Sequence, residues 1–425
     1  MTTTLPNRAS DVSTQNPFRV MVVDDSAIIR GFLSRYLSED PEVDVVTTAN
    51  NGEIAIRQLG VHKIEVVVLD IEMPVMDGMT ALPKMLEKQP GLQVVMASTL
   101  TLKNAEISLR ALQMGAVDYV PKPETARSVN ANIDFRRELV EKVKAWARRS
   151  RDKRGEEMPV VIDPSKKSHG VSFIKPAAER SSGRPAASGF VTAARPSRPA
   201  ATVVGRAGGN DRTATGVQES GATAISLRKG SLKTPKILAV GSSTGGPQAL
   251  MKFFGQFQKP PKVPVVITQH MPANFTAILA NHLGQATGWP SKEAVHGEEV
   301  QAGHIYVAPG GKHLILKKED NKILTILTDD APENFCKPAV DPLFRSLSDI
   351  YGDAALAVVL TGMGHDGLKG ARDLTQKGGT VYAQDEASSV VWGMPGAVAT
   401  AGLCTQVLPL DQLGAKTFNR LQGGA

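Results

Sequence analysis

The 425-residue chain has two cysteines, Cys336 and Cys404, and no long apolar run, the apolar core of a secretory signal included. Two thiols cannot make the disulfide framework of a secreted scaffold, so both are expected to be buried or inert in a reducing compartment. Residues 1–17 are polar, and no apolar stretch approaches the ~18 residues of a membrane span. A cytoplasmic protein is the expectation. The chain carries 49 Lys and Arg against 42 Asp and Glu, a net charge of +7 that first suggests an anionic partner. Residues 151–233 alone hold 15 basic and 7 acidic residues, a balance of +8, so the rest of the chain sums to −1. Basicity therefore belongs to one stretch and not to a folded binding face, and no nucleic-acid partner is expected.

What is present is α/β periodicity in two blocks. Short apolar runs over 19–23, 43–49, 66–70, 93–97 and 119–120 alternate with amphipathic segments over 27–37, 53–59, 80–88, 105–114 and 133–147, the pattern of a parallel sheet covered by helices. From 151 to 232 Ser, Gly, Pro, Ala and Arg replace the period, a composition that cannot bury enough apolar surface to fold. Periodicity returns with strands expected over 237–240, 265–269, 304–308, 355–360 and 380–383 and a hairpin over 314–317 and 323–328. The expected plan is a disordered tail (1–17), a first domain (18–149), a disordered basic linker (150–233) and a second domain (234–425). A solvated tether is the reading of the linker.

Asp24 and Asp25 follow the first strand, Asp70 ends the third, and Lys122 follows the fifth. In a doubly wound sheet they meet at the carboxyl edge, where three carboxylates favour a hard cation such as Mg²⁺. Ser98, read as following the fourth strand, could donate to a phosphoryl oxygen. Val22-Val-Asp-Asp-Ser26, Val67-Val-Leu-Asp-Ile-Glu-Met-Pro-Val-Met-Asp-Gly78, Met96-Ala-Ser98 and Asp118-Tyr-Val-Pro-Lys-Pro123 together resemble the response-regulator receiver family, a (βα)5 fold. That resemblance implies phosphorylation of Asp70, Mg²⁺ on Asp24, Asp25, Asp70 and the backbone carbonyl of Glu72, coupling through Ser98 and Tyr119, and a cis Lys122–Pro123 bond.

Gly241-Ser-Ser-Thr-Gly-Gly-Pro247 lies between a strand and a helix. The string fits a phosphate cradle, a G-x-S-x-G nucleophile turn centred on Ser243, or a plain helix cap. Two other strand ends offer partners: His270, after Val265-Val-Ile-Thr-Gln269, and Asp366, in Leu360-Thr-Gly-Met-Gly-His-Asp-Gly367. A serine hydroxyl needs a base, and the base needs an acceptor to set its tautomer. The order Ser…His…Asp differs from that of α/β-hydrolases, so that fold is not assigned. His282, His296, His304 and His313 show no metal-ligand spacing, and Trp392 is as compatible with a core as with a cleft.

Val240-Gly-Ser-Ser-Thr-Gly-Gly-Pro247, Ile267-Thr-Gln-His-Met-Pro272, Tyr306-Val-Ala-Pro-Gly310 and Leu360-Thr-Gly-Met-Gly-His-Asp-Gly367 resemble the catalytic domain of the bacterial chemotaxis methylesterase (CheB) family, a doubly wound, mainly parallel α/β fold. His365 stands where that family more often has Asn, and a packing or local hydrogen-bond change is expected from it. The resemblance implies that Ser243 is the nucleophile, His270 the base, Asp366 its orienting partner, and the backbone N–H groups of Thr244 and Met363 an oxyanion hole, with no cofactor for the ester chemistry. It further implies glutamate methyl esters and glutamines of methyl-accepting chemotaxis receptors as substrates, a chemotaxis histidine kinase as phosphodonor, and membrane association only through receptors. A phosphate sink with a degenerate second domain is the rival; it requires a broken Ser/His/Asp set.

Overall fold

The computed structural model describes residues 13–99, 101–122, 133–162 and 225–424. Most of the stretch read as linker and the Lys122–Pro123 bond lie outside the described residues.

The first block folds as β2 (Phe18–Val23), α1 (Ala27–Ser38), β3 (Val43–Ala49), α2 (Gly52–Leu59), β4 (Val66–Asp70), α3 (Gly78–Lys88), β5 (Gln93–Thr99), α4 (Leu102–Gln113), β6 (Asp118–Lys122) and α5 (Ile133–Arg154). Its five strands pair in parallel in the order β3-β2-β4-β5-β6. β4 is buried along its whole length, as a strand covered on both faces must be. Side-chain caps start the helices: Ser26, Asn51, Asp77 and Thr101 each accept from a backbone N–H three residues on.

Two boundaries differ from the sequence reading. α5 continues past 149 to Arg154, and a short strand β1 (Ser13–Gln15), from the stretch read as a disordered tail, pairs with β7 (Val160–Ile162), from the stretch read as linker. The reason is a buried ion pair. Arg151 donates to Glu65 through Nε and Nη2, both at 2.6 Å, and to the carbonyls of Asn16, Pro17 and Glu157. A buried arginine looks like linker charge in a linear sequence, because Glu65, Asn16 and Pro17 lie 86 to 135 residues away.

The second block contains β8 (Ile237–Ser242), α6 (Gly246–Phe254), β9 (Val265–Gln269), α7 (Phe275–Thr287), β10 (Ser291–Glu293), β11 (Glu298–Glu299), β12 (Ile305–Val307), β13 (His313–Glu319), β14 (Lys322–Thr328), α8 (Val340–Tyr351), β15 (Ala355–Val359), α9 (Leu368–Gln376), β16 (Thr380–Gln384), α10 (Met394–Thr400), β17 (Gln406–Leu408) and α11 (Leu410–Leu421). Seven strands form a wholly parallel sheet ordered β10-β12-β9-β8-β15-β16-β17, and β11-β14-β13 make a small antiparallel sheet containing the expected hairpin. β8, β9, β15 and β16 are buried throughout.

The two blocks share one core. A continuous apolar cluster runs from Leu109 and Tyr119 to Leu250, Phe275 and Leu279, and the Tyr119 and Phe275 rings stack with centroids 4.5 Å apart. Arg149 of α5 donates to the carbonyls of Ser388 and Ser389. No described helix is long and apolar enough to cross a membrane.

Candidate active site and acidic pocket

Both sheets reverse their winding direction at one point, and such switch points are where loops diverge and ligands bind. In the first sheet the point lies between β2 and β4, in the second between β8 and β15.

At the first, ligand-capable oxygens of Asp24, Asp25 and Asp70 lie within 4.8 Å of one another. Lys122 reaches across from β6, with Nζ 2.6 Å from Asp70 Oδ1 and 3.0 Å from Asp24 Oδ2. Burial pushes the Asp70 carboxyl up to about 6, although Lys122 pulls the other way. Asp24 is raised for the same reason, and the two carboxylates hold Lys122 above its ordinary value despite burial. The Glu72 side chain turns to Lys103, 3.5 Å away at the surface. Ser98 lies within β5, not after it, and its hydroxyl meets Ser108 of α4 at 2.8 Å. Tyr119 is buried against the second block rather than beside the carboxylates.

At the second switch point, β8 ends in Ser242 and the chain turns through Ser243 and Thr244 into α6. Gly245, at φ +72°, begins the helix without a side-chain cap, which removes the plain-cap reading of the turn. A Cβ on Gly246 would meet Gln269 Oε1 at 1.9 Å, and one on Gly362 would meet Ser243 Cβ at 2.9 Å. The glycines thus serve close packing of two neighbouring strand ends around Ser243. Gln269 fastens them: its Oε1 accepts from Ser242 Oγ at 2.7 Å, and its Nε2 donates to the carbonyls of Ser243 and His270. Ser243 N donates to Thr361 O at 3.0 Å.

His270 Nε2 lies 2.7 Å from Asp366 Oδ2. The buried Asp366 carboxylate also accepts from the N–H groups of Val340 and Asp341, the first turn of α8, from Gly367 N, and from Asn334 Nδ2 at 2.9 Å. Burial alone would raise its pKa; His270 and the α8 N–H groups reverse that and hold it below the ordinary carboxylate value. The other nitrogen of His270, Nδ1, is 3.3 Å from Cys336 Sγ. Burial would lower the imidazole, yet the Cys336 sulfur and Asp366 outweigh it and lift His270 to about 10. No hydrogen bond joins Ser243 to His270 among the described residues; the two share a cavity of about 280 Å³ also lined by Thr244, Cys336 and Met363. The N–H groups of Thr244 and Met363 meet no protein acceptor among the described residues.

The remaining wall of the cavity comes from the first block. Asp118, Tyr119, Arg137, Glu138 and Lys142 line it, and Asp118 Oδ2 accepts from Gly245 N at 3.3 Å. The same carboxylate accepts from Trp146 Nε1, and its other oxygen is 3.3 Å from Lys142 Nζ. The anion at the start of α6 is therefore a side chain of this chain, where a phosphate cradle would place a ligand.

Cys336, read from the sequence as buried or inert, is half-buried and lines this cavity, whereas Cys404 is buried elsewhere. Asn334, Gln269 and Asp118 were also missed; only Gln269, adjacent to His270, carried a local signal. Asp341 is buried, accepts from Gly370 N at 2.7 Å and shares Asn334 with Asp366. His365 is exposed and lies outside the cavity lining. His313 is a buried structural residue between Ala331 O and Ala339 N, and Trp392 donates to Gln384 O in a neighbouring cavity that shares Met363.

Residues 238–417 match the family model for CheB methylesterase, and residues 20–134 match that for the response regulator receiver domain. The chain is 48% identical over 401 residues to a protein-glutamate methylesterase/protein-glutamine glutaminase of Rhodospirillum rubrum, covering 94% of each chain. It is 44% identical over 425 residues to one of Rhodopseudomonas palustris, covering 100% of this chain and 99% of the other. Among solved structures, the CheB methylesterase catalytic domain of Thermotoga maritima is 41% identical over 44% of this chain and 99% of its own, with a TM-score of 0.43. With a receiver domain joined to a CheB methylesterase domain and near-full-length likeness to these relatives, the chain belongs to the CheB family of chemotaxis methylesterases.

Proposed function

We propose that this chain hydrolyses glutamate methyl esters on methyl-accepting chemotaxis receptors, releasing methanol, and deamidates particular receptor glutamines, under control of Asp70 phosphorylation by a chemotaxis histidine kinase. The observation that carries the reading is the 2.7 Å His270–Asp366 contact in a cavity lined by Ser243.

In this reading Ser243 attacks the side-chain carbonyl while His270 Nδ1 takes its proton, and Asp366 holds the ring through Nε2 and offsets its positive charge. The N–H groups of Thr244 and Met363 would receive the developing oxyanion. His270 then gives that proton to the leaving methoxide or amide nitrogen, which departs as methanol or ammonia, and next takes one from the water that cleaves the Ser243 acyl ester, returning it to the serine oxygen, so one site serves ester and amide. For attack to begin, substrate must move Cys336 off Nδ1, which also removes one of the two contacts that keep the ring protonated.

In the receiver, Asp24, Asp25, Asp70 and the Glu72 carbonyl would hold Mg²⁺; the raised Asp70 carboxyl supports this, since a cation relieves the crowding of buried negative charge. The ion would neutralise an incoming phosphoryl group. Lys122 would pair with the phosphoryl oxygens, and Ser98 would have to leave Ser108 to reach them. Tyr119, stacked on Phe275, would carry the change to the cleft, and the Asp118–Gly245 contact supports a receiver that restrains the serine turn until Asp70 is phosphorylated. The intact Ser/His/Asp set argues against a phosphate sink.

The test measures methanol release from methylated receptor, with and without phosphodonor. Ser243→Ala is expected to abolish release and leave Asp70 phosphorylation intact; retained release would overturn the assignment.

A further inference from the structure

The loop carrying Cys336 is pinned with more care than a connection between β14 and α8 requires. Asn334 and Phe335 sit at φ +52° and +64°, a region side chains rarely adopt. Asn334 Nδ2 is shared by Asp341 and Asp366, Glu333 pairs with Arg345 and bridges back to Cys336, and Lys337 donates to Asp329 O at 2.9 Å. The outcome is a thiol held 3.3 Å from an imidazole nitrogen whose ring is anchored on a carboxylate. That Cys–His–Asp cluster is the arrangement that activates a thiol toward electrophiles, in a half-open cavity also lined by Arg137, Lys142 and Lys337. Cys404 has none of this, and burial pushes its thiol up to about 12.

We infer that Cys336 is an oxidative modification site that switches the esterase off by occupying its base. A hydroperoxide is the oxidant. The Cys336 sulfur attacks the peroxide O–O bond, a sulfur–oxygen bond forms, and sulfur loses two electrons. The departing hydroxide takes the thiol proton by way of His270 and leaves as water. The new S–OH group then donates to His270 Nδ1, the nitrogen Ser243 needs. Two equivalents of a small thiol reverse the step, giving back the Cys336 thiol, a disulfide of the reductant and water. The consequence for activity rests on the reading of His270 as the base; the chemistry at Cys336 does not.

The full chain is treated with hydrogen peroxide and trapped with dimedone, and each peptide is read by mass spectrometry alongside methanol release. Dimedone is expected on Cys336 and not on Cys404. Activity should fall about 100-fold, the scale of losing a general base, and return with dithiothreitol when dimedone is omitted. For Cys336→Ala the treated-to-untreated activity ratio should stay near one. A Cys336 that remains reduced, or equal inhibition of Cys336→Ala, overturns the inference. An untreated chain that releases no methanol counts against the esterase reading alone, because iodoacetamide labelling still tests the thiol. Cys336 should label about tenfold faster in the wild type than in His270→Gln, and equal rates overturn the pairing. If that variant labels at Cys404, showing that it has unfolded, wild-type Cys336 is compared with free cysteine instead, and an equal or slower rate has the same meaning.

Discussion

The acidic pocket and the serine cavity occupy equivalent places, each at the switch point of a parallel sheet, but they are assembled differently. Asp24, Asp70 and Lys122 lie at the carboxyl ends of β2, β4 and β6 in one sheet and largely satisfy one another. The serine cavity takes Ser243, Thr244, His270 and Met363 from the strand-end loops, with Asp366 behind His270. The charge on Asp366 depends on the first turn of α8 and on Asn334, and the lid over the cavity comes from the other domain. A charged pocket that mainly needs its ions close together can be built from strand geometry alone. A buried base with a set tautomer needs donors from elements that the strand order does not supply.

Breaking the second site should therefore leave the first intact. Asp366→Asn keeps the shape but removes the charge facing His270 and the α8 N-terminus, and methanol release is expected to fall about 10⁴-fold. Phosphorylation of Asp70, measured on the same preparation, should not change. A loss of both would show that the two sites share a folding unit rather than a signal.

The first site can be sharpened through pH. Burial lifts the Asp70 carboxyl to about 6 from an ordinary value near 3.8. The folded chain thus binds more protons than the unfolded chain between those values; this contribution to stability is complete below about 3.8 and is lost as pH rises through 6. Asp70→Asn should accordingly exceed the wild type in stability by about 1–2 kcal/mol at pH 7 without Mg²⁺. Urea midpoints should show the gap closing toward pH 4, and a gap independent of pH would refute the charge argument.

The smallest effect concerns the join. Asp118→Asn weakens the acceptor for Gly245 N and the pair with Lys142, together worth about 1 kcal/mol at the cleft. Unphosphorylated esterase activity should rise about fivefold, and the gain from a phosphodonor should shrink in proportion. If basal activity is unchanged, Asp118 is not part of the restraint.

Much of the α/β plan was legible because fully buried strands leave continuous apolar runs, as in Val66–Asp70 and Val265–Gln269. Ser243, His270 and Asp366 could be picked out since each follows such a run. Cys336 and Asn334 could not, because they belong to an irregular loop with no period and act on partners 66 and 32 residues away. Arg151 was misread as linker charge for the same reason: its value lies in Glu65.

From sequence alone followed two α/β domains, an acidic triad with its lysine, and three strand ends bearing Ser243, His270 and Asp366. These are local properties, set by which residues line a strand and which follow it. Only the tertiary structure decided that Asp366 rests on the start of α8, that Asp118 reaches the serine turn, and that Cys336 sits on the nitrogen His270 would use as a base. Each of those depends on a hydrogen bond between segments distant in the chain, and such contacts leave no spacing to read.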